Sequence, residues 1–311
     1  MFSISAKNKR KIKIYDVRTA FLHGTLNEEL YMKIPDGIER RNEQVCKLKK
    51  SIYGLKQASR CWNKYITDIF LQIGLKQRAR DPCLFYIREE NNILYSGVHV
   101  DDMTVVSSTD FFEEKYINKL KEYVELKNLG AGKQLLDMEL KYTKEKLIVS
   151  QKNYKNRLLN VYGMNDCNVV SSPIDAIHQK LKEDNGSPMS DERSYQKLLG
   201  RLMYLSVSTR PDISFTLSCL SQFSKNPRIM HMNALKQVLR YLKGTIDYQI
   251  EYGNTNWKKG IMCSTDASWD STVDAKFFSG IFVYLNGDFV HWKSKKQATV
   301  ALLQKLIFYR K

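Results

Sequence analysis

Two hydrophobic periods run along the chain, one of about two residues and one of three to four, and they divide it into strands and helices. Residues 12–22 alternate enough apolar side chains to predict a strand with Asp16 inside it, followed by the turn residues Pro35, Asp36 and Gly37. Within 51–74 the apolar positions Trp62, Ile66, Ile69, Phe70 and Ile73 recur at three and four residues and predict an amphipathic helix, with Lys47, Lys49, Lys50, Lys56 and Arg60 before or at its start. Residues 91–108 read as two apolar strands, 93–100 and 103–106, meeting at Asp101 and Asp102, so two carboxylates stand at a hairpin tip. A helix is expected over 111–126, and a strand pair around 135–142 and 146–150. The polar, turn-rich segment 171–190, with Pro173, Gly186 and Pro188, is the expected linker. Three helices follow, over 195–207, 211–223 and 228–243, the last with Leu235, Val238, Leu239 and Leu242 on one face and Lys236, Arg240 and Lys243 on another. Beyond residue 250 a smaller unit begins: a strand at 261–263 runs into Asp266, and Asn286-Gly287 between 281–285 and 289–292 is the signature of a type I′ hairpin.

At 311 residues the chain has length for about two domains, each large enough for its own core. Its 43% hydrophobic and 27% charged residues, with 15 Gly and 6 Pro, exclude collagen-like, linker-like and strongly disordered classes. Fifty Lys and Arg against 33 Asp and Glu leave a net charge of +17, a surplus that points to a polyanion and, first among these, nucleic acid. The Lys236, Arg240, Lys243 stripe reads as a solvated face or as a row following phosphates, and the run Lys7, Lys9, Arg10, Lys11, Lys13 as solvent-facing or as a nuclear-import patch. Six cysteines without a CxxC pair, and five histidines without ligand spacing, argue against zinc and for free thiols in a reducing, intracellular compartment. No apolar span or secretory signal is present, so no membrane partner is expected.

Three aspartates have apolar strand neighbours: Asp16 in Ile14-Tyr15-Asp16-Val17, and the pair in Val98-His99-Val100-Asp101-Asp102-Met103. Carboxylates beside a core lose solvation and repel one another, and a divalent cation answers both costs; all-oxygen donors suit Mg2+ or Mn2+. Such a set can support two-metal nucleotidyl transfer to a primer 3′-hydroxyl. From spacing alone, a polar turn at Asp101-Asp102 and a strand-end residue at Asp16 are the commoner explanation, because Asp is a common turn former.

Ordered motifs change that balance. Asp16-Val17-Arg18-Thr19-Ala20-Phe21-Leu22-His23-Gly24, then Glu28-Glu29-Leu30-Tyr31-Met32, resemble the first catalytic motif of copia-type retrotransposon reverse transcriptases. Lys47-Leu48-Lys49-Lys50-Ser51-Ile52-Tyr53-Gly54-Leu55-Lys56-Gln57-Ala58 and Val100-Asp101-Asp102-Met103 are similar to the family's next signatures, in the expected order. The similarity continues through 195–200, Thr209-Arg210-Pro211-Asp212-Ile213, 234–245 and Trp292-Lys293-Ser294-Lys295-Lys296-Gln297, so it covers nearly the whole chain.

The resemblance implies an α+β fold: a reverse transcriptase palm over 1–170, linker and helical thumb/connection over 171–250, and a partial ribonuclease H-like α/β unit over 251–311. It implies RNA-directed DNA polymerase function with Asp16, Asp101 and Asp102 as the catalytic, metal-binding carboxylates for Mg2+ or Mn2+. The Val17 carbonyl would lie near one metal, Phe21 would be the aromatic gate against a ribose 2′-hydroxyl, and Gln57 would lie against the incoming nucleotide. Without the match Phe21 reads as a core residue and Gln57 as a loop residue. Implied partners are an RNA or DNA template, a DNA primer, dNTP and other products of a retrotransposon polyprotein, in a cytoplasmic particle, the nucleus or both.

Departures from the family pattern are His99 where tyrosine is usual, Ser59 where proline is usual, and Asp137, expected to strain a strand, where glycine is preferred. Only 15 residues precede Asp16, so the family's fingers segment is expected to be largely missing and nucleotide binding weak. Asp266 in Ser264-Thr265-Asp266-Ala267 matches the first ribonuclease H carboxylate, but no Asp or Glu follows Asp288, and Leu302-Leu303-Gln304-Lys305-Leu306 replaces an acidic stretch. The expected reading is a truncated Pol fragment with a vestigial ribonuclease H site and no ribonuclease H activity. The rivals are an inactive, nucleic-acid-binding remnant and a structural partner within a retrotransposon particle.

Overall fold

The computed structural model describes residues 1–38, 44–174, 188–253, 260–268, 278–297 and 305–310. Mixed helices and antiparallel sheets form two compact units, one of Met1 with Arg10–Gly132 and the other of Phe2–Lys9 with Lys133–Lys311. The short helix α1 (Phe2–Lys7) thus belongs to the second unit.

In the first unit, β1 (Lys13–Val17) is followed by a one-turn helix, α2 (Ala20–His23), and by the two-stranded ribbon β2 (Tyr31–Lys33) and β3 (Val45–Lys47). Helix α3 (Ala58–Gln72) leads into β4 (Lys76–Arg78), β5 (Asp81–Glu89), β6 (Asn92–His99) and β7 (Asp102–Ser107), then α4 (Asp110–Lys121) and β8 (Leu126–Ala131). Six strands pair antiparallel in the order β4-β5-β6-β7-β1-β8. With period two, Tyr15, Val17, Phe85, Ile87, Leu94, Met103 and Val105 form one face, and α3 covers it with Trp62, Ile66, Ile69 and Phe70. Helix α4 adds Phe112, Tyr116, Ile117 and Leu120, and its start is fixed by the Thr109 hydroxyl, which accepts from the Phe112 N–H at 3.1 Å. The buried Glu113 of α4 accepts from the Tyr15 hydroxyl at 2.6 Å and pairs with Lys13 at 3.2 Å, which ties α4 to β1.

Two expectations shift here. The predicted strand 12–22 stops at Val17, because Thr19 takes a left-handed conformation (φ 50°) and turns the chain into α2. The helix expected from residue 51 starts at Ala58, since 51–57 form turns in which Gly54 has φ 97°. Ser59 therefore lies in the first helical turn, where a backbone N–H has no intrahelical acceptor and proline or serine is equally accommodated. Strand β5, which buries Phe85 and Ile87 in alternation, is not among the elements expected from the sequence.

In the second unit, β9 (Gln134–Leu135), β10 (Met138–Tyr142) and β11 (Leu147–Ser150) join β12 (Ile250–Tyr252) in a sheet of order β12-β11-β10-β9. Helices α5 (Lys152–Val161), α6 (Glu192–Ser208), α7 (Ser214–Leu220) and α8 (Ile229–Gly244) pack through Leu158, Tyr195, Leu198, Leu202, Leu217, Leu235, Val238 and Leu239. The helix expected over 211–223 is α7 flanked by two single 3-10 turns, and most of the expected linker, residues 175–187, lies outside the described residues. A last sheet, order β15-β14-β13-β16, comprises β13 (Ile261–Ser268), β14 (Phe278–Leu285), β15 (Asp288–Lys296) and β16 (Lys305–Arg310). Asn286 and Gly287 both have positive φ, 52° and 91°, which is the type I′ turn expected between β14 and β15. The five residues 302–306 that replace an acidic stretch are described only as backbone from Lys305 onward.

Asp137 is not a strand residue. It forms the β9–β10 turn with Leu136 (φ 59° and 47°), a conformation aspartate tolerates and glycine favours, and it pairs with Arg157 at 2.5 Å. Of the basic stripe on α8, Arg240 donates to the Asn168 carbonyl and Lys243 to the Cys167 carbonyl, both at 2.8 Å, so these two cations hold the 167–168 loop.

The motif Thr209-Arg210-Pro211-Asp212 supplies a buried ionic node. The Arg210 guanidinium, 1% exposed, donates to both Asp212 oxygens and to the carbonyl and hydroxyl of Thr245, while the Tyr241 hydroxyl donates to Asp212 at 2.9 Å. Next to it Lys155, fully buried, donates to the Tyr248 carbonyl at 3.1 Å. Burial first, and then repulsion from Arg210, lowers the Lys155 ammonium to about 8 from an ordinary 10.5.

Because the unfolded chain binds more protons than the folded one between those two values, wild type gains stability as pH rises from about 8 to about 10. Urea unfolding of wild type and Lys155→Met across that window should show the difference moving toward wild type by up to about 1.4 kcal/mol per pH unit. A difference that stays flat with pH would contradict the lowering of the Lys155 ammonium by burial.

Candidate active site

The β6–β7 hairpin turns on two residues, Val100 and Asp101, since His99 and Asp102 are register partners. Val100 has φ 57°, a left-handed conformation in which a β-branched side chain is strained and glycine is the usual occupant. Two outside donors hold the turn. The Trp62 indole N–H donates to the Val100 carbonyl at 2.7 Å, and the Val17 backbone N–H donates to the Asp101 carbonyl at 2.8 Å. The sequence pattern placed Val100 in a strand and both carboxylates at the tip; instead Asp101 is in the turn and Asp102 is the first residue of β7.

On the neighbouring strand Asp16 is the register partner of Asp102. Both have the parity opposite to Tyr15, Val17, Met103 and Val105, so they share the sheet face away from α3 and α4. All three carboxylates are half-buried, and among the described residues none forms an ion pair with Lys or Arg. Asp102 is held above the usual carboxylate range, chiefly by burial, then by the charges of Asp16 and Asp101, with His99 opposing. His99 therefore stands in the hairpin directly across from Asp102, at an exposed position.

Around this pair the chain folds tightly. Gly24 ends α2 where an added Cβ would meet the Cys61 Cβ at 2.7 Å, the Ser51 Oγ at 2.8 Å and the Cys61 carbonyl carbon at 2.9 Å, so only glycine lets the segment approach α3. The Ser51 hydroxyl donates to the Phe21 carbonyl, and the Ser51 N–H donates to the Gly24 carbonyl at 2.9 Å. The half-buried Phe21 ring packs on Tyr53 with centroids 4.7 Å apart. Tyr53 donates its hydroxyl to Asp101 Oδ2 at 3.3 Å, and burial followed by the Asp101 charge raises its phenol above the ordinary value.

Of the residues singled out from sequence, the fold brings Asp16, Val17, Asp101 and Asp102 together and connects Phe21 to them through Tyr53. Gln57 precedes α3, its carbonyl accepting from Cys61 N–H at 2.9 Å and its side chain half-buried. Asp266 is exposed on β13 of the second unit. Trp62 and Tyr53 escaped sequence reasoning: Trp62 reads as one more apolar residue on a helix face, and Tyr53 lies in a quoted motif with nothing in its spacing to mark its hydroxyl.

Among the described residues no group of three or more His, Cys, Asp and Glu side chains forms a metal cage, and no helix is long and apolar enough to cross a membrane. The donor chemistry nonetheless suits a hard divalent cation: adjacent strands offer carboxylates that repel one another and that, among the described residues, pair with no Lys or Arg.

A family model described as reverse transcriptase (RNA-dependent DNA polymerase) matches residues 1–176, more than half of the chain. The chain belongs to this reverse transcriptase family. Curated relatives agree with the copia-type assignment. The Retrovirus-related Pol polyprotein from transposon TNT 1-94 of Nicotiana tabacum is 36% identical over 97% of the chain and 23% of its own length. That from transposon RE2 of Arabidopsis thaliana is 35% identical over 93% of the chain and 20% of its own length. A transposon Ty5-1 protein of Saccharomyces cerevisiae is 29% identical over 90% of the chain and 92% of its own length. This reverse transcriptase family member thus spans about a quarter or less of the two Pol polyproteins.

Two substitutions test the packing around the carboxylates. Gly24→Ala should cost about 1–3 kcal/mol in urea unfolding, because α2 must be pushed off α3. Trp62→Phe keeps the ring in the core and removes the donor to Val100, and should cost about 1–2 kcal/mol. Wild-type stability in either variant would show that the close approach or the hydrogen bond is not maintained in solution.

Proposed function

We propose that this chain is an RNA-directed DNA polymerase that extends a DNA primer with dNTP by two-metal nucleotidyl transfer. The observation that carries this reading is the register pairing of Asp16 with Asp102 beside Asp101 on a clamped, strained turn. In this reading residues 1–170 are the palm, 171–250 the linker and thumb/connection, and 251–311 a ribonuclease H-like unit in which Asp266 is vestigial. Asp16, Asp101 and Asp102 hold Mg2+ or Mn2+, with the Val17 carbonyl close by. When bound, the ions supply Lewis-acid stabilisation of charge on the transferring phosphate and lower the barrier to deprotonating a primer hydroxyl.

The chain's own groups do the positioning. Clamping of Val100 and Asp101 keeps two carboxylates from swinging away from Asp16, so little reorganisation is left for the reaction itself. Phe21, fixed on a one-turn helix, excludes a ribose 2′-hydroxyl, and Gln57 borders the incoming nucleotide. The +17 charge supplies the phosphate contacts for template and primer, whose binding weakens steeply with salt. Other products of a retrotransposon polyprotein are proposed partners on the names of the relatives alone.

Primer extension on an RNA template with Mg2+ or Mn2+ tests the reading. Wild type should extend, and Asp101→Asn should lose about a hundredfold or more in rate while binding primer and template as wild type does. If neither extends while both bind nucleic acid at low salt, the chain is a non-catalytic, nucleic-acid-binding remnant.

A further inference from the structure

We propose that Tyr53 is a positioning residue that sets sugar selectivity, by holding the Phe21 ring through its own ring and Asp101 through its hydroxyl. The inference rests on the polymerase reading above. Helix α2 is four residues long, a length that cannot hold its own geometry in water, so the place of Phe21 is decided by what the helix packs against. Ser51, fully buried, bonds the backbone at Phe21 and at Gly24 and so locates the helix. It does not orient the ring.

Orientation comes from Tyr53, whose ring lies 4.7 Å from that of Phe21 at 57°. This tilted contact is the attractive arrangement for two aromatic rings and restricts rotation of the Phe21 side chain. Tyr53 is itself half exposed, at 51%, so it is not held by core packing. Its hydroxyl bond to Asp101 Oδ2, 3.3 Å long, anchors it to the clamped turn. One side chain therefore bridges the ring that would meet the sugar and a carboxylate that would meet the metal, and its two halves have separable effects.

Tyr53→Leu removes ring and hydroxyl, whereas Tyr53→Phe removes the hydroxyl alone. With a dideoxy-terminated primer on template, equilibrium binding of dNTP and of the matching rNTP is measured for wild type and both variants, together with thermal unfolding to show that each is folded. Wild type should prefer dNTP. Tyr53→Leu should lose about tenfold or more of that preference, chiefly by gaining rNTP affinity, and Tyr53→Phe, which keeps the ring but frees it from Asp101, should lose a smaller part, about threefold. In extension with a normal primer, Tyr53→Phe should need severalfold more Mg2+ for half-maximal rate. A merely structural role would weaken both nucleotides alike and leave their ratio unchanged, so a wild-type ratio in folded Tyr53→Leu overturns the proposal. Lack of preference in wild type itself would remove the polymerase reading of Phe21 and this inference with it, and is recognised because the failure then appears before any substitution.

Discussion

The turn at Val100 and Asp101 is the constraint on which the arrangement of the first unit depends. Its valine occupies a backbone conformation that local sterics disfavour by about 1–2 kcal/mol, so the hairpin keeps this form only because partners outside it hold the two turn carbonyls. Those partners come from β1 and α3, the elements that bury the core face of the sheet. The hydrophobic core and the candidate site are thus mechanically connected. Packing of Trp62 places a donor over the turn, and pairing of β1 with β7 brings Asp16 opposite Asp102 while its terminal N–H secures Asp101.

A similar economy appears in the second unit, where Arg210 spends its guanidinium on Asp212 and Thr245 inside a helical core. Desolvation of that cation is tolerated because its donors meet acceptors in good geometry. The motif containing Arg210 resembles a family signature, yet its role in the fold is to join the start of the 3-10 turn at Pro211 to the end of α8. Conversely, two members of the α8 basic stripe that looked suited to phosphates bind backbone carbonyls of a neighbouring loop. Charge on a helix face says that the face is polar. What it contacts is decided by the loops beside it.

Long periodic segments were legible from sequence: α3, α6, α8 and the β14–β15 hairpin follow from apolar spacing and from Asn286-Gly287, because a face to be buried and a turn that needs positive φ leave local marks. The start of α3, the end of β1 and the turn at Leu136-Asp137 were misplaced. In each case the chain adopts a left-handed residue or an irregular turn that its neighbours select, and Thr19, Leu136 and Val100 carry no side-chain signature for it. Strand β5 and helix α5 were not among the expected elements, although Phe85 and Ile87 alternate in burial and Leu158 and Leu159 are buried on one face of the helix.

Asp16, Asp101 and Asp102 could be named from sequence as three carboxylates in apolar surroundings, and motif order alone carried the family assignment, since residue identity and order are linear information. Only the tertiary structure decided that Asp16 and Asp102 are register partners, that Trp62 and Val17 clamp the turn, that Gly24 is needed for contact with α3, and that Tyr53 joins Phe21 to Asp101. These relations join residues far apart in sequence, from 32 positions for Tyr53 with Phe21 to 86 for Asp16 with Asp102, and no local spacing rule reaches that far. They arise when separate amphipathic elements share one core, because the burial of their apolar faces fixes which polar groups are left facing one another.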